Sequence, residues 1–537
     1  MLELFRASAE RAPRQVALRY FDGELTIGQL DRASDALALA LLDRGFGPGE
    51  RLALYLQNNP GFVIGLLGAW KAGGTAVAVN PMNKGRELAF LLADSGAKAL
   101  LCLDTLYLSV ARDVIASGRS RVDTVITTSE LDWQARDDER VVRTPRLLPD
   151  DLPGDALDLL GIVSAHAGQR PGRAPAKPGD VAVLTYTSGT TGRPKGAMNT
   201  HETMVHGCCN FREWLGLTPG DSVLGVAPLF HITGLVGHVG LSLLLPCPLV
   251  LAHRFHPAVM LDALREHRPT FTIAAITALT RLAAESTSPA EDFASLRAVY
   301  SGGAPIAPAV NEAFQGRTGI YIHNIYGLTE TNSPTHATPL GARAPVDPAS
   351  GALSIGVPIF GTVARILDDN GQEAPVGQAG EIVISGPQVI PGYWNRPEES
   401  AAALPGGELR TGDVGLMDSG GWFYLIDRKK DMINASGYKV WPREVEDVLY
   451  AHPAVREAAV VGIPDPYRGE TVKAFVSLHP GAAVTPEELI QYGRENMAAY
   501  KYPRHVEILD ELPKTVTGKI LRRHLRDDPP GDAGKHR

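Results

Sequence analysis

A chain of 537 residues has room for large cores and, on length, for roughly three to four units of ~150 residues each. Its 44% hydrophobic and 21% charged content is that of an ordinary soluble globular protein, and a net charge of -8 argues against the basic face that a nucleic-acid binder needs. The four cysteines, Cys102, Cys208, Cys209 and Cys247, make neither a disulfide framework nor zinc-ligand spacing, which fits a reducing cytoplasm.

The chain opens MLELFRASAERAPR, with Glu3 and Arg6 where a signal peptide needs an apolar stretch. Residues 27–44 carry Leu30, Ala33, Leu37 and Leu41 at helical spacing. Residues 51–56 read as a strand, 60–71 as a helix, and 75–79 and 99–102 as further strands. This alternation predicts parallel sheets covered by helices. Residues 165–180, AHAGQRPGRAPAKPGD, read as an exposed connection. From 181 to about 325 the alternation resumes, with strands at 222–226, 270–276, 296–301 and 319–324 and a helix at 257–267. The longest nearly uncharged run, 234–251, is split by Pro246 and Pro248. A membrane helix wants about 20 apolar residues, so the run reads as a buried glycine-rich helix and a short strand, with no integral membrane association.

Beyond this the pattern changes. Strands at 361–367, 380–385 and 421–425, separated by Gly/Asp turns, predict a smaller β subdomain. The charged segment DRKKDM begins at 427, and a domain boundary is placed at 427–430. A compact α+β unit follows, with helices at 442–451 and 486–496 and strands at 455–462 and 471–478. The expected division is 1–426, a hinge at 427–430, a second domain at 431–526 and a polar, disordered tail at 527–537.

Several stretches carry chemistry. Residues 185–196 read TYTSGTTGRPKG behind an apolar β-branched run. Gly189 and Gly192 let the backbone turn tightly with its N–H groups converging. Thr187, Ser188, Thr190 and Thr191 add hydroxyl donors, and Lys195 adds a charge suited to phosphate oxygens. This is a phosphate cradle, and it is not the Walker loop, because no Gly-Lys-Ser/Thr opens a helix here. Tyr326, Thr329 and Glu330, at a predicted strand end, offer a ring to stack on a base, a hydroxyl for phosphate and a carboxylate suited to Mg²⁺. Asp413 in RTGD can accept both hydroxyls of a ribose. Lys519, next to Gly518 in a basic Thr-containing loop, suits an anion. Each of the last three, taken alone, also fits an ordinary turn or a solvated basic terminus.

Taken together and in this order, TYTSGTTGRPKG, SGGAP, YGLTET, ELRTGDVG, DRKKDMINASGYKVWPREVE and PKTVTGKILRR resemble the adenylate-forming enzyme superfamily over nearly the whole chain. The match is greatest with its acyl-CoA synthetase branch, the fatty-acyl and aryl-CoA ligases. The resemblance implies an α/β fold: a large N-terminal domain of parallel-rich sheets and a β subdomain, with a small mobile α+β C-terminal domain. It implies that ATP, Mg²⁺ and coenzyme A are used to activate a small-molecule carboxylic acid. The loop from Thr187 to Lys195 would take the β- and γ-phosphates. Gly302, Gly303, Ala304, Asn324, Tyr326 and Gly327 would line the adenine slot. Thr329 would meet the α-phosphate, Glu330 the Mg²⁺ and Asp413 the ribose, with Arg428 nearby. Lys519 matches the catalytic lysine and Lys430 the hinge about which the C-terminal domain turns, bringing Ser436, Gly437, Tyr438 and Lys439 to coenzyme A.

On the acyl side the resemblance points to His231, Val236, Ala275, Ile276, Gly302 and Gly327. His231 stands where amino-acid-activating relatives carry an Asp, and Gly327 where acetyl-specific ones carry a pocket-blocking Trp. A medium- or long-chain fatty acid, or a bulky or aromatic acid, is therefore expected. Arg443, Arg468 and Lys473 are further candidates for the phosphates of coenzyme A. Loading of a separate carrier protein is the alternative acceptor, a non-catalytic nucleotide sensor is the alternative class, and a homodimer is compatible with what relatives do.

Overall fold

The computed structural model describes residues 1–142, 147, 156–172, 176–187, 194–428, 431–435, 438–465, 469–515 and 519–526. Two large sheets form the N-terminal part. The first has seven strands in the order Leu157–Asp158, Thr124–Thr128, Ala99–Leu103, Arg51–Tyr55, Thr75–Val79, Val181–Thr187 and Lys195–Thr200. All its neighbours are parallel except the last pair, an antiparallel hairpin that sets Thr187 opposite Lys195. The second has nine strands, and Val223–Leu224, Phe271–Ala274, Ala298–Ser301 and Ile322–Tyr326 run side by side and parallel within it.

The helix Pro60–Lys71 joins these two sheets. It is apolar on every face and every residue of it is buried, the pattern of a helix inside a core. Two glycines set its distances. A Cβ on Gly65 would stand 2.6 Å from Leu54 and 2.7 Å from Leu101 of the seven-stranded sheet, and one on Gly68 would stand 2.6 Å from Leu37 of the helix Ile27–Leu42. Val63 faces Ala17, Leu18 and Leu249 of the nine-stranded sheet. At the helix end the Lys71 ammonium is 2% exposed and bonds Asp31 Oδ1 at 2.6 Å and Asp35 Oδ1 at 2.7 Å. Removing this ammonium would leave two carboxylates short of their partner in the core. Lys71→Met is therefore expected to lower stability by about 3–5 kcal/mol, read as a falling midpoint in thermal or urea unfolding.

The run 234–251 is interior, as expected. It forms a π-helical turn, Leu235–Gly240, a short helix, Leu241–Leu244, and the strand Leu249–Leu251, almost all of it buried. Among the described residues no helix is long and apolar enough to cross a membrane. A four-stranded antiparallel sheet follows, Val363–Leu367, Gly380–Ser385, Leu409–Met417 and Phe423–Arg428. The small C-terminal part has its own core, with Val440, Val445, Leu449, Val460, Val472 and Leu489 between a five-stranded sheet and the helices Pro442–Tyr450 and Pro486–Asn496. The chain is thus α/β, with a large N-terminal part and a small α+β C-terminal one.

Candidate active site

Parallel strands end on the same edge of their sheet, and loops at that edge share one crevice. The four parallel strands of the nine-stranded sheet therefore bring together Ala275 and Ile276, Gly302 to Ala304, and Gly327 to Glu330, with His231 on the segment that follows Val223–Leu224. Here the backbone comes close to itself. A Cβ on Gly302 would stand 2.5 Å from the Ile325 carbonyl oxygen of the adjacent strand. Gly303 has φ +82, a conformation that favours glycine, and Lys519 Cε lies 3.1 Å from where its Cβ would be.

Lys519 reaches the crevice from the C-terminal part. Its peptide N–H donates to Thr515 Oγ1 at 3.1 Å and its carbonyl accepts from Thr515 N at 2.7 Å, which fixes the root of the loop. Burial lowers the pKa of its ammonium below the usual lysine value and Arg428 adds to this, while Asp413 and Glu330 pull the other way. Asp413 is buried, accepts from Tyr326 Oη at 2.7 Å and pairs with Arg428 Nε at 3.2 Å. Burial pushes its carboxyl upward against Arg428 and Tyr326, which both stabilise the carboxylate. Glu330 lies in the 3₁₀ turn Thr329–Thr331 and accepts from Tyr393 Oη at 2.8 Å. Lys195 Nζ lies 4.8 Å from the centre of the Tyr393 ring.

Not every expected residue faces the crevice with a free side chain. Asn324 is buried and its amide donates to the Ser354 carbonyl at 2.9 Å, a structural bond. Val236 is fully buried, its Cγ1 2.9 Å from where a Cβ on Gly207 would stand, so it packs the helix His201–Leu215. Gly327 would place a Cβ 3.1 Å from both Ser333 Cα and Pro334 Cα, so its missing side chain lets that backbone approach. Tyr438 is 58% exposed and stacks on Tyr500, with ring centres 4.7 Å apart. Arg443 is buried with its guanidinium donating to Leu425 O, and Lys473 pairs with Glu507 at 2.8 Å. Ser188, Gly189, Thr190, Thr191, Gly192, Lys430, Ser436, Gly437 and Arg468, the side chain of Lys439 and residues 527–537 lie outside the described residues.

His231 is half-buried, and its Nδ1 accepts from Thr233 N at 3.3 Å, which leaves the proton of the neutral ring on Nε2. Burial, reinforced by Lys519, lowers its pKa to about 3. It therefore stays uncharged across the range from about pH 5 to 8 in which a free histidine titrates. The kcat/KM profile of His231→Ala is expected to parallel that of the unaltered protein through this range, even if its acid preference changes. A limb near neutrality that vanishes in the variant would contradict this.

Three contributors gave little sign of themselves in the sequence. His336 is buried behind Tyr326, its ring 5.7 Å from that of Tyr326 and 4.6 Å from that of Phe423. Tyr393 was visible in PGYWN but had no local pattern to give it a role. Arg522, three residues past Lys519, bonds Glu446 Oε2 at 2.6 Å and Asp427 Oδ1 at 3.1 Å.

Comparison with known proteins settles the relationship. Residues 5–394 match the model of the AMP-binding enzyme family, and residues 444–519 match the AMP-binding enzyme C-terminal domain. The chain belongs to the AMP-binding enzymes. Among similar members, a long-chain-fatty-acid–CoA ligase of Bacillus subtilis is 37% identical, over 97% of this chain and 93% of its own. A feruloyl-CoA synthase of an Amycolatopsis species is 36% identical, over 96% of each. The o-succinylbenzoate CoA synthetase of Bacillus subtilis, solved with ATP and magnesium ion, superposes with a TM-score of 0.80 at 29% identity, over 98% of this chain and 99% of that one. In this AMP-binding enzyme, then, the crevice with Lys519 lies at the junction of the two matched segments.

Proposed function

We propose that the protein is an ATP-dependent acyl-CoA ligase that activates a hydrophobic carboxylic acid, fatty or aromatic, through an acyl-adenylate. The observation that carries this reading is the lysine of the C-terminal part lying over Gly303, within electrostatic reach of Asp413 and Glu330. In the first step a carboxylate oxygen of the acid bonds to the α-phosphorus of ATP. The bond from that phosphorus to the β-bridging oxygen breaks, and pyrophosphate leaves. In the second step the thiol sulfur of coenzyme A attacks the acyl carbon, AMP leaves and the thiol proton passes to solvent.

Each residue has a share in this. The Lys519 ammonium bridges the attacking carboxylate and the α-phosphate, orienting them and neutralising the charge that accumulates. Tyr326, Gly302, Gly303, Ala304 and Gly327 border the adenine, Asp413 takes the ribose hydroxyls with Arg428 beside it, and Thr329 meets the α-phosphate. The loop from Thr187 to Lys195 takes the β- and γ-phosphates. Glu330 would hold Mg²⁺. The donor chemistry fits: Mg²⁺ prefers oxygen and keeps phosphate and water ligands, and Glu330 offers a carboxylate held by Tyr393 Oη at 2.8 Å. When bound, Mg²⁺ supplies charge neutralisation on the phosphates. His231, Ala275 and Ile276 border the acid, with Val236 as packing behind them.

The second step needs Lys519 withdrawn and Ser436, Gly437, Tyr438 and Lys439 brought in, by rotation of residues 431–526 against 1–426 about Lys430. Lys430→Pro is therefore expected to leave acyl-adenylate formation measurable and to stall thioester formation. Equal rates in both half-reactions would remove the hinge.

The test is pyrophosphate release from ATP and Mg²⁺ with a panel of fatty and aromatic acids, followed by a mass search for the thioester after coenzyme A is added. Turnover without a thioester, rescued by a carrier protein, would favour the carrier loader. Nucleotide binding with no turnover would favour the sensor. The adenylation kcat/KM should also fall as pH rises through a value below 10.5, because the required proton sits on a lysine whose pKa burial has lowered. Lys519→Arg should move that limb to higher pH.

A further inference from the structure

The segment from Ile390 to Arg396 ties together two groups that belong to different sheets. Ile390 N donates to Glu330 O at 2.9 Å, and Tyr393 Oη donates to Glu330 Oε1 at 2.8 Å. On its other side the segment is laced to the strand Lys195–Thr200, which leaves the phosphate loop. Trp394 N donates to Gly196 O at 2.8 Å, Met198 N donates to Gly392 O at 3.1 Å, and Ala197 and Tyr393 pair as an isolated antiparallel bridge. The far end is pinned as well, since Arg396 Nη2 donates to Asp94 Oδ1 at 2.7 Å, and Tyr186 Oη donates to Asp94 Oδ2 at 2.8 Å.

Tyr393 is the side chain at the centre of this lacing. It is buried, its hydroxyl occupies one oxygen of Glu330, and its ring face carries the Lys195 ammonium 4.8 Å from the ring centre. A lysine and a glutamate facing a phosphate site tend to pair with each other, and such a pair must break before phosphate or Mg²⁺ can be engaged. A tyrosine between them removes that competition. Its hydroxyl is one neutral donor to the carboxylate, and its ring holds the ammonium by a weak attraction that is readily exchanged for phosphate oxygens.

We propose that Tyr393 is a positioning residue that keeps the Glu330 carboxylate and the Lys195 ammonium apart and aimed, the first for Mg²⁺ and the second for the outer phosphates of ATP. The proposal rests on the roles given to Glu330 and Lys195 above. The hydroxyl and the ring have separate tasks, so two variants separate them. Tyr393→Phe keeps the ring on Lys195 and removes the donor to Glu330. Tyr393→Leu removes both.

The experiment is titration calorimetry of ATP binding to the whole protein, with and without Mg²⁺, alongside the Mg²⁺ concentration that half-saturates pyrophosphate release. For Tyr393→Phe the affinity for Mg²⁺-ATP is expected to fall about 5–10-fold and the half-saturating Mg²⁺ to rise by a similar factor, with affinity for metal-free ATP unchanged. For Tyr393→Leu the metal-free affinity should fall as well, by about 3-fold. Equal weakening with and without Mg²⁺ in Tyr393→Phe, or no weakening at all, overturns the proposal, because a packing role would not discriminate on the metal. Glu330→Gln is run beside them. If it leaves the Mg²⁺ dependence intact, the role of Glu330 itself fails; if it abolishes that dependence while Tyr393→Phe is silent, only Tyr393 is refuted.

Discussion

Replacing Lys519 with alanine is expected to slow acyl-adenylate formation by roughly 10²–10³-fold, the scale of losing a preorganised charge at a reacting phosphate. Nucleotide binding should persist, because Asp413 and Tyr326 hold each other at 2.7 Å without it. The half-reactions separate the contribution. Pyrophosphate exchange into ATP should collapse, whereas thioester formation from supplied acyl-adenylate and coenzyme A should fall much less. Equal loss in both would show that the lysine serves folding or docking rather than the first step. A structural cause is tested independently, by the unfolding midpoint of the alanine variant, which should not fall.

Replacing Arg522 with methionine should have the next largest effect on adenylation, although Arg522 touches no substrate. Its guanidinium bonds Glu446 within the C-terminal part and reaches Asp427 on the strand Phe423–Arg428, and Arg443 N donates to the other Asp427 oxygen at 2.9 Å. Asp431 lies 3.6 Å away and also pairs with Arg526 at 2.8 Å. These bonds clasp the two parts in the arrangement that brings Lys519 to the crevice. Breaking a buried pair of this kind costs about 3–5 kcal/mol. Arg522 is partly exposed, which reduces that to about 2–3 kcal/mol, or roughly 30–150-fold in pyrophosphate exchange if the docked arrangement is what is lost. Arg522→Lys should recover part of the rate. A variant with normal exchange and only a lower unfolding midpoint would confine Arg522 to the stability of the C-terminal part.

Much of this molecule was readable one residue at a time. The alternation of strand and helix predicted parallel sheets because period and side-chain type are local properties, and the elements at 60–71, 75–79 and 257–267 appear where they were expected. The glycines, hydroxyls and charges of TYTSGTTGRPKG, YGLTET and RTGD announced anion and nucleotide chemistry because chemistry follows residue type. Tyr393 and Glu330 are 63 residues apart and Arg522 and Asp427 are 95 apart, and no periodicity links such positions. Gly327 shows a second limit: the close approach of the Ser333 and Pro334 backbone to it has no local signal in the sequence.

By itself the sequence determined the sheet-and-helix class, the order of the chemical motifs and the kind of ligand they suit, since backbone preference and side-chain chemistry are carried by each residue and its near neighbours. Only the tertiary structure decided that Lys519 lies over Gly303, that Asn324 is spent on Ser354, and that Tyr393 stands between Glu330 and Lys195. Those outcomes depend on which surfaces meet when distant segments pack, and burial and close approach are properties of the whole fold.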